Sequence, residues 1–324
     1  MIRELDEKLY YSDCTLCPNS CHVNRTAGEI GVCGQSSEIR IAWSGLHRGE
    51  EPPVSGEKGS GMIFFCGCPL KCQYCQNFQI SRTTSPSWLT VTTEELKQIM
   101  LELQNFGATT LNLVTGTHYI PSIINALNLA RSEGFSLPVV WNSSGYETVS
   151  ALRMIDSFID LYLLDAKAID SSVASSFCAT SKYPSVLYPV LSFLKKRHPS
   201  TDIEGLKGVL IRHLVFPGTV RQSKEFLHYF ADNFKDNFYL SLMTQFVPPK
   251  ELSPEQSFPK MTDNEYESLA NLLDELDIDG FIQERSENEI LWIPDFTQDQ
   301  PFPEGFADPL PFFLKLKGRK KPSD

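Results

Sequence analysis

From Gly61 onward, short apolar runs alternate with longer segments of helical spacing. Met62–Phe65, Thr109–Val114, Val139–Trp141, Leu161–Leu164, Val209–Phe216 and Phe238–Phe246 read as buried strands. Thr92-Thr93-Glu94-Glu95 is a capping box, and Leu96, Ile99, Met100 and Leu103 follow on one face, with Gly107 suited to end the helix. Pro121 fits the first turn of the next helix. Further helices are predicted near Thr148–Phe158, Ser185–His198, Ser223–Phe234 and Asp263–Leu276, the last opened by a second capping box at Thr262. Six strand-then-helix units imply a parallel sheet covered by helices. Six is too few for a closed eight-stranded barrel, which leaves a partial barrel or an open doubly wound sheet.

The flanks lack this rhythm. Residues 1–60 are rich in Gly, Pro, Ser and Cys, and Gly49–Pro53 and Ser55–Gly61 have loop chemistry. They predict a small metal-binding lobe with a connector. Residues 61–285 hold the alternating units, and 286–324 predict an extension wrapped around the outside. The basic tail of Lys315, Lys317, Arg319, Lys320 and Lys321 reads as a solvated terminus. A net charge of −11 disfavours a nucleic-acid surface. No signal-peptide core and no apolar run of membrane length is present, so a cytoplasmic, reducing setting is expected. Eight of the nine cysteines fall within residues 14–75, and in a reducing compartment that clustering reads as metal binding.

The densest group lies in Phe64–Ser81, FFCGCPLKCQYCQNFQIS, just after the first strand and so at the C-terminal edge of the sheet, where α/β folds place their sites. Cys68, Cys72 and Cys75 are spaced C-x3-C-x2-C. Three thiolates on one tight loop suit three irons of a cubane cluster and leave the fourth iron open. A closed zinc site that adds Cys66 is the competing arrangement.

This loop resembles the radical SAM superfamily signature, including the aromatic Tyr74 before the last cysteine, which in that superfamily lies near the adenine. EEPPVSGEKGSGMIFF, CQNFQIS, LNLVTGTHYIP, WNSSGYE, LYLLDAK and IRHLVFPG are similar to segments of pyruvate formate-lyase activating enzyme-like proteins. The resemblance runs from about residue 10 to about residue 280. It implies a (β/α)6 partial TIM barrel, a [4Fe-4S] cluster and S-adenosyl-L-methionine (SAM). It also implies reductive cleavage of SAM, followed by removal of a hydrogen atom from a substrate.

The same resemblance marks residues at successive strand ends. Gly116, Thr117 and His118 stand where many relatives carry Gly-Gly-Glu; the glutamate is missing here, so a backbone carbonyl, Thr117 or His118 must take its place. Asn142 falls in a turn that in relatives lies beside the ribose. Asp165 and Lys167 resemble the Asp-Leu-Lys of the activating enzymes, and two opposite charges ending an apolar strand are costly unless they face a polar site. Lys167 would bind the SAM carboxylate or ribose as a point charge. Arg212, inside an apolar strand, needs a carboxylate partner, either that of SAM or a buried structural one. Gln245 is a further candidate for adenine or substrate, and Cys178 reads as a small core residue.

Cys14, Cys17, Cys21 and Cys33 make a second set, C-x2-C-x3-C-x11-C. Structural zinc is the first reading and an auxiliary [4Fe-4S] cluster the second; His22 could replace a ligand, but its adjacency to Cys21 is awkward. The reaction implied is activation of a glycyl-radical enzyme, with flavodoxin or ferredoxin as electron donor. Radical SAM modification of another peptide, small molecule or RNA is the alternative. A non-enzymatic zinc protein is the rival from another class.

Overall fold

A computed structural model describes residues 5–82, 88–249, 251, 258–284 and 293–320. Among them one sheet contains β1 (Ile39–His47), β2 (Ser60–Phe65), β3 (Leu89–Val91), β4 (Leu111–Val114) and β5 (Val139–Ser143). It continues with β6 (Leu161–Asp165), β7 (Gly208–Leu214), β8 (Tyr239–Met243), β9 (Gly280–Ile282) and β10 (Ala307–Pro309). From β2 through β4 to β9, neighbouring strands are parallel and follow chain order. The order has no reversal, so there is no doubly wound switch point. The path is open at both ends, as in a partial barrel.

Side chains alternate across each strand. Ile63, Leu113, Trp141, Tyr162, Leu164 and Ile211 pack outward on helices Thr93–Asn105, Ile120–Ser132, Val149–Ile155, Tyr183–Arg197 and Val220–Asn233. Met62, Phe64 and Val114, and beside them Val140, Leu161, Leu163 and Leu210, form the inner face. Both predicted capping boxes are formed: the Thr92 and Thr262 hydroxyls accept from the N–H of Glu95 and Glu265, whose carboxylates accept in return.

Three segments differ from the sequence reading. Residues 39–47, expected in a connector, are β1, paired with β2, β3 and β10. A boundary at Gly61 therefore divides a single sheet and does not hold. The Pro-rich segment after β1, expected as a connecting loop, enters the barrel. Its Pro52–Ser55 turn buries Val54 among Val140, Leu161, Leu163 and Leu210, and the Thr110 hydroxyl donates to the Val54 carbonyl. The C-terminal residues do not merely wrap the outside. Phe296 is buried against Phe64 on the inner face, Phe302 packs there too, and helix Pro311–Lys320, which follows β10, packs against helix Thr93–Asn105 and β1. The basic tail is part of that helix: Lys317 is buried with Asp299 at 2.9 Å, and Lys320 meets Glu95 at 2.7 Å. Lys321 and the boundary at 285 lie outside the described residues.

Candidate active site

The cysteine loop leaves the C-terminal end of β2. Its three spaced thiols share one neighbourhood: burial pushes the Cys68 thiol up, and Cys72 and Cys75 add to the effect. Backbone N–H groups two residues on are turned to the sulfurs, that of Leu70 to Cys68 and that of Asn77 to Cys75. The Ser81 hydroxyl lies 3.4 Å from Cys75 Sγ. Cys72 differs. Hydrogen bonding from Cys178 leads the effects that bring its thiol down to about 7 against burial, with Lys167 adding its charge.

Cys178 is a fully buried member of the hydrophobic core, as the sequence reading expected, with its sulfur turned towards Cys72. It ends helix Ser171–Cys178, which the hydrophobic pattern missed, and the preceding Phe177 carbonyl accepts from the Gln73 N–H at 3.0 Å. Cys66 stands apart in the inner core beside Trp43, Phe64 and Ile80, where burial pushes its thiol up to about 12 and the charges that reach it are Arg40 and Lys317. Among the described residues, no three Cys, His, Asp or Glu side chains are grouped to hold a single metal ion.

A charged layer crosses the inner face at the same end of the sheet. Asp165, Arg212 and Ser241 stand in register on β6, β7 and β8. Glu50 and Glu51 reach into this layer from the segment after β1. Arg212 Nε donates to Glu51 Oε1 at 2.8 Å, and its Nη2 donates to Glu50 Oε2 at 2.6 Å and Glu51 Oε2 at 2.5 Å. Burial alone would lower the Arg212 pKa, but the two carboxylates hold it well above its ordinary value. Lys167 Nζ donates to Asp165 Oδ2 at 2.6 Å and sits 5.7 Å from the Tyr74 ring centroid. The Tyr183 hydroxyl, which meets the Ser144 and Asp165 carbonyls at 2.7 Å each, ties the β5 and β6 loops together beneath this pair. Tyr74 closes one side with Phe177, Phe216 and Phe246.

Residues 62–230, just over half of the chain, match the radical SAM superfamily. The protein belongs to that superfamily. Its cofactors are accordingly a [4Fe-4S] cluster and SAM. An uncharacterized protein of Methanocaldococcus jannaschii is 29% identical over 248 residues, which are 74% of this chain and 68% of the relative. The FeFe-hydrogenase maturase HydG of Carboxydothermus hydrogenoformans shares the fold at 14% identity and a TM-score of 0.50, over 78% of this chain and 63% of HydG. SuiB of Streptococcus suis, solved with its precursor peptide SuiA, aligns at 13% identity and a TM-score of 0.46, over 67% of this chain. The chain spans about 46% of SuiB's length.

The structure brings some of the expected radical SAM site residues together and turns others away. Asp165, Lys167 and Tyr74 meet beside the cysteine loop. Asn142 faces the charged layer, its Nδ2 3.4 Å from Glu50 Oε2. Arg212 is corrected: its carboxylate partners are Glu50 and Glu51, so it is a buried structural ion pair and not a free SAM contact. His118 is also corrected. Its Nε2 meets the Cys66 carbonyl at 2.7 Å, and burial depresses its pKa to about 3, so it is a neutral strut behind the loop.

Thr117 turns outward and donates to Glu147 at 2.8 Å; Gly116 allows close packing, since a Cβ there would stand 2.7 Å from Ile123. Neither side supplies the missing glutamate. Glu147, which sequence reasoning overlooked, is fully enclosed and accepts from Thr117, Trp141 Nε1 and Ser143; burial raises its pKa. It fixes the β4 and β5 turns. Gln245 Nε2 donates to the Glu284 carbonyl at 2.9 Å and so braces the β8–β9 edge.

The N-terminal cysteines lie directly against this loop. The Cys33 carbonyl accepts from the Cys68 N–H at 3.3 Å, and Asn19 Nδ2 donates to the Pro69 carbonyl at 2.8 Å. Gly67, at φ +86°, makes the approach possible, because a Cβ would stand 2.6 Å from the Cys33 carbonyl oxygen. Arg25, wholly buried, donates to the Ser36 and His118 carbonyls and sits between the Tyr11 and Tyr119 rings. His22 is exposed and paired with Asp13 at 2.8 Å, away from the thiols.

Proposed function

We propose that Cys68, Cys72 and Cys75 hold the [4Fe-4S] cluster and that Asp165, Lys167 and Tyr74 form the wall against which SAM is held. The observation that carries this is the convergence of the three thiols, the Asp165–Lys167 pair and Tyr74 at one end of the parallel sheet. The donor set fits the cluster: three thiols are the ligands that iron–sulfur clusters take, and backbone N–H groups aimed at the Cys68 and Cys75 sulfurs offset part of what burial costs their thiolate forms. The charge also fits. Glu50, Glu51 and Asp165 against Arg212 and Lys167 leave one net negative charge, and burial keeps His47 beside them neutral. SAM carries one net positive charge at neutral pH. Bound together, the two cofactors supply one-electron reductive cleavage and hydrogen-atom abstraction. The chain's own contribution is to hold the ends of SAM, to lay Tyr74 and its aromatic neighbours beside it, and to exclude water.

We infer further that the hydrogen atom comes from a glycine of a partner protein in a reducing cytoplasm, with flavodoxin or ferredoxin as electron source. The supports are the similarity of six segments to pyruvate formate-lyase activating enzyme-like proteins and the acidic charge, which disfavours RNA. Anaerobically reconstituted protein, given SAM and dithionite, is expected to release 5′-deoxyadenosine. A candidate glycyl-radical enzyme then added should show a radical EPR signal. Absence of 5′-deoxyadenosine would refute the enzyme reading; its release with no radical in any such partner would refute the partner alone.

A further inference from the structure

We propose that Ser81 and Cys178 are positioning residues for the [4Fe-4S] cluster: Ser81 donates a hydrogen bond to the Cys75 sulfur and Cys178 to the Cys72 sulfur, and together they raise the cluster's reduction potential. The inference rests on the reading that the Cys68 loop holds that cluster.

Ser81 ends the short helix Phe78–Ser81, which is tied to the cysteine loop at several points. Its N–H donates to the Asn77 carbonyl at 2.9 Å, and the neighbouring Ile80 carbonyl accepts from the Gly67 N–H at 2.9 Å. Lys71 Nζ donates to the Ser81 carbonyl at 3.1 Å, and Arg82 Nη2 donates to the Cys72 carbonyl at 3.2 Å. So held, the buried Ser81 hydroxyl lies 3.4 Å from Cys75 Sγ, its one hydrogen-bond partner among the described residues. Between a hydroxyl and a thiol either group could donate. An iron-bound thiolate has no proton to give, so with iron on Cys75 the hydroxyl is the donor.

Cys178 comes from a different element. The start of helix Ser171–Cys178 is fixed by the Asp170 carboxylate, which accepts from the Ser172 and Val173 N–H groups. Its end is docked on the cysteine loop. The Phe177 carbonyl takes the Gln73 N–H at 3.0 Å, and the Phe177 ring stacks on Phe216 with centroids 4.2 Å apart. This docking turns the Cys178 sulfur to Cys72. Cys178 is wholly buried in the hydrophobic core, and apolar surroundings keep a thiol protonated. Towards an iron-bound Cys72 it is therefore the donor.

The three ligand sulfurs are thus dressed unequally. Cys68 has the Leu70 N–H, Cys75 has the Asn77 N–H and the Ser81 hydroxyl, and Cys72 has the Cys178 thiol. A small apolar side chain would pack at either position; a hydroxyl and a thiol aimed at ligand sulfurs add proton donors. Such donors stabilise the extra negative charge of the reduced cluster more than the oxidised form, and hydrogen bonds to the sulfurs are among the factors that set cluster potentials.

The test is a redox titration of the full chain, reconstituted anaerobically with iron and sulfide and followed by EPR. Ser81→Ala and Cys178→Ala are each expected to make one-electron reduction of the SAM-responsive cluster about tenfold less favourable, a shift of about 59 mV to lower potential, with iron content unchanged. Ser81→Thr and Cys178→Ser keep a donor and should keep the wild-type potential. Equal potentials in the wild type and the alanine variants would overturn the proposal. So would an equal fall in the donor-retaining variants, which would trace the shift to altered packing. Loss of iron in the alanine variants would overturn it too, by assigning both side chains to cluster assembly. A wild-type protein with no SAM-responsive cluster would instead sink the reading of the Cys68 loop on which the inference rests.

Discussion

Removing the Arg212 guanidinium leaves Glu50 and Glu51 as buried carboxylates without their cation. Arg212→Ala is expected to lower the unfolding free energy by roughly 3–5 kcal/mol, read from chemical denaturation. An unchanged midpoint would contradict the ion-pair assignment. The need for a partner was legible from a charge inside an apolar strand, but the partner's identity was not, because Glu51 lies 161 residues earlier. Cys178 shows the same limit: its partner Cys72 sits on a distant loop. His213 yields a pH prediction. Its Nδ1 meets the Ala166 carbonyl and its Nε2 the Ser223 hydroxyl, and burial depresses its pKa to about 4. The unfolded chain takes up a proton near pH 6.5, so stability falls as pH drops from about 6.5 towards 4, by up to roughly 3 kcal/mol, and this contribution is constant above that window. His213→Gln should flatten the slope; an equal slope in both proteins would show that His213 is not its source.

At the scale of elements, strands β2 and β4 to β8 and the capped helices were legible because hydrophobic period, caps and Gly punctuation agree locally. β1, the barrel-filling turn at Pro52–Ser55 and helix Pro311–Lys320 were not. β1 is buried on both faces and so lacks alternation, and the other two are fixed by what they pack against. The N-terminal lobe is clamped to the cysteine loop through Cys33, Asn19, Gly67 and the Arg25–His118–Cys66 chain of contacts. Replacing both Cys14 and Cys17 by Ala is therefore expected to reduce iron at the Cys68 loop as well, with loss of the SAM-responsive EPR signal. Full retention of that signal would mean that the lobe folds independently of the loop.

Across the whole molecule, the sheet is one unit to which both the N-terminal and the C-terminal parts contribute, β1 and β10 pairing with each other at one edge. No helix among the described residues is long and apolar enough to cross a membrane. The C-x3-C-x2-C spacing pointed to the cluster loop, while the charged layer of Glu50, Glu51, Asp165, Lys167 and Arg212 became visible only once the segment after β1 was placed inside the barrel. The central claim is that Cys68, Cys72 and Cys75, without Cys66, hold a cluster whose open iron takes SAM. EPR of the reduced, reconstituted protein with and without SAM tests it most directly. The account predicts a cluster signal that shifts on adding SAM, persists in Cys66→Ala and disappears in Cys72→Ala. A signal indifferent to SAM, or one lost in Cys66→Ala and kept in Cys72→Ala, would contradict it.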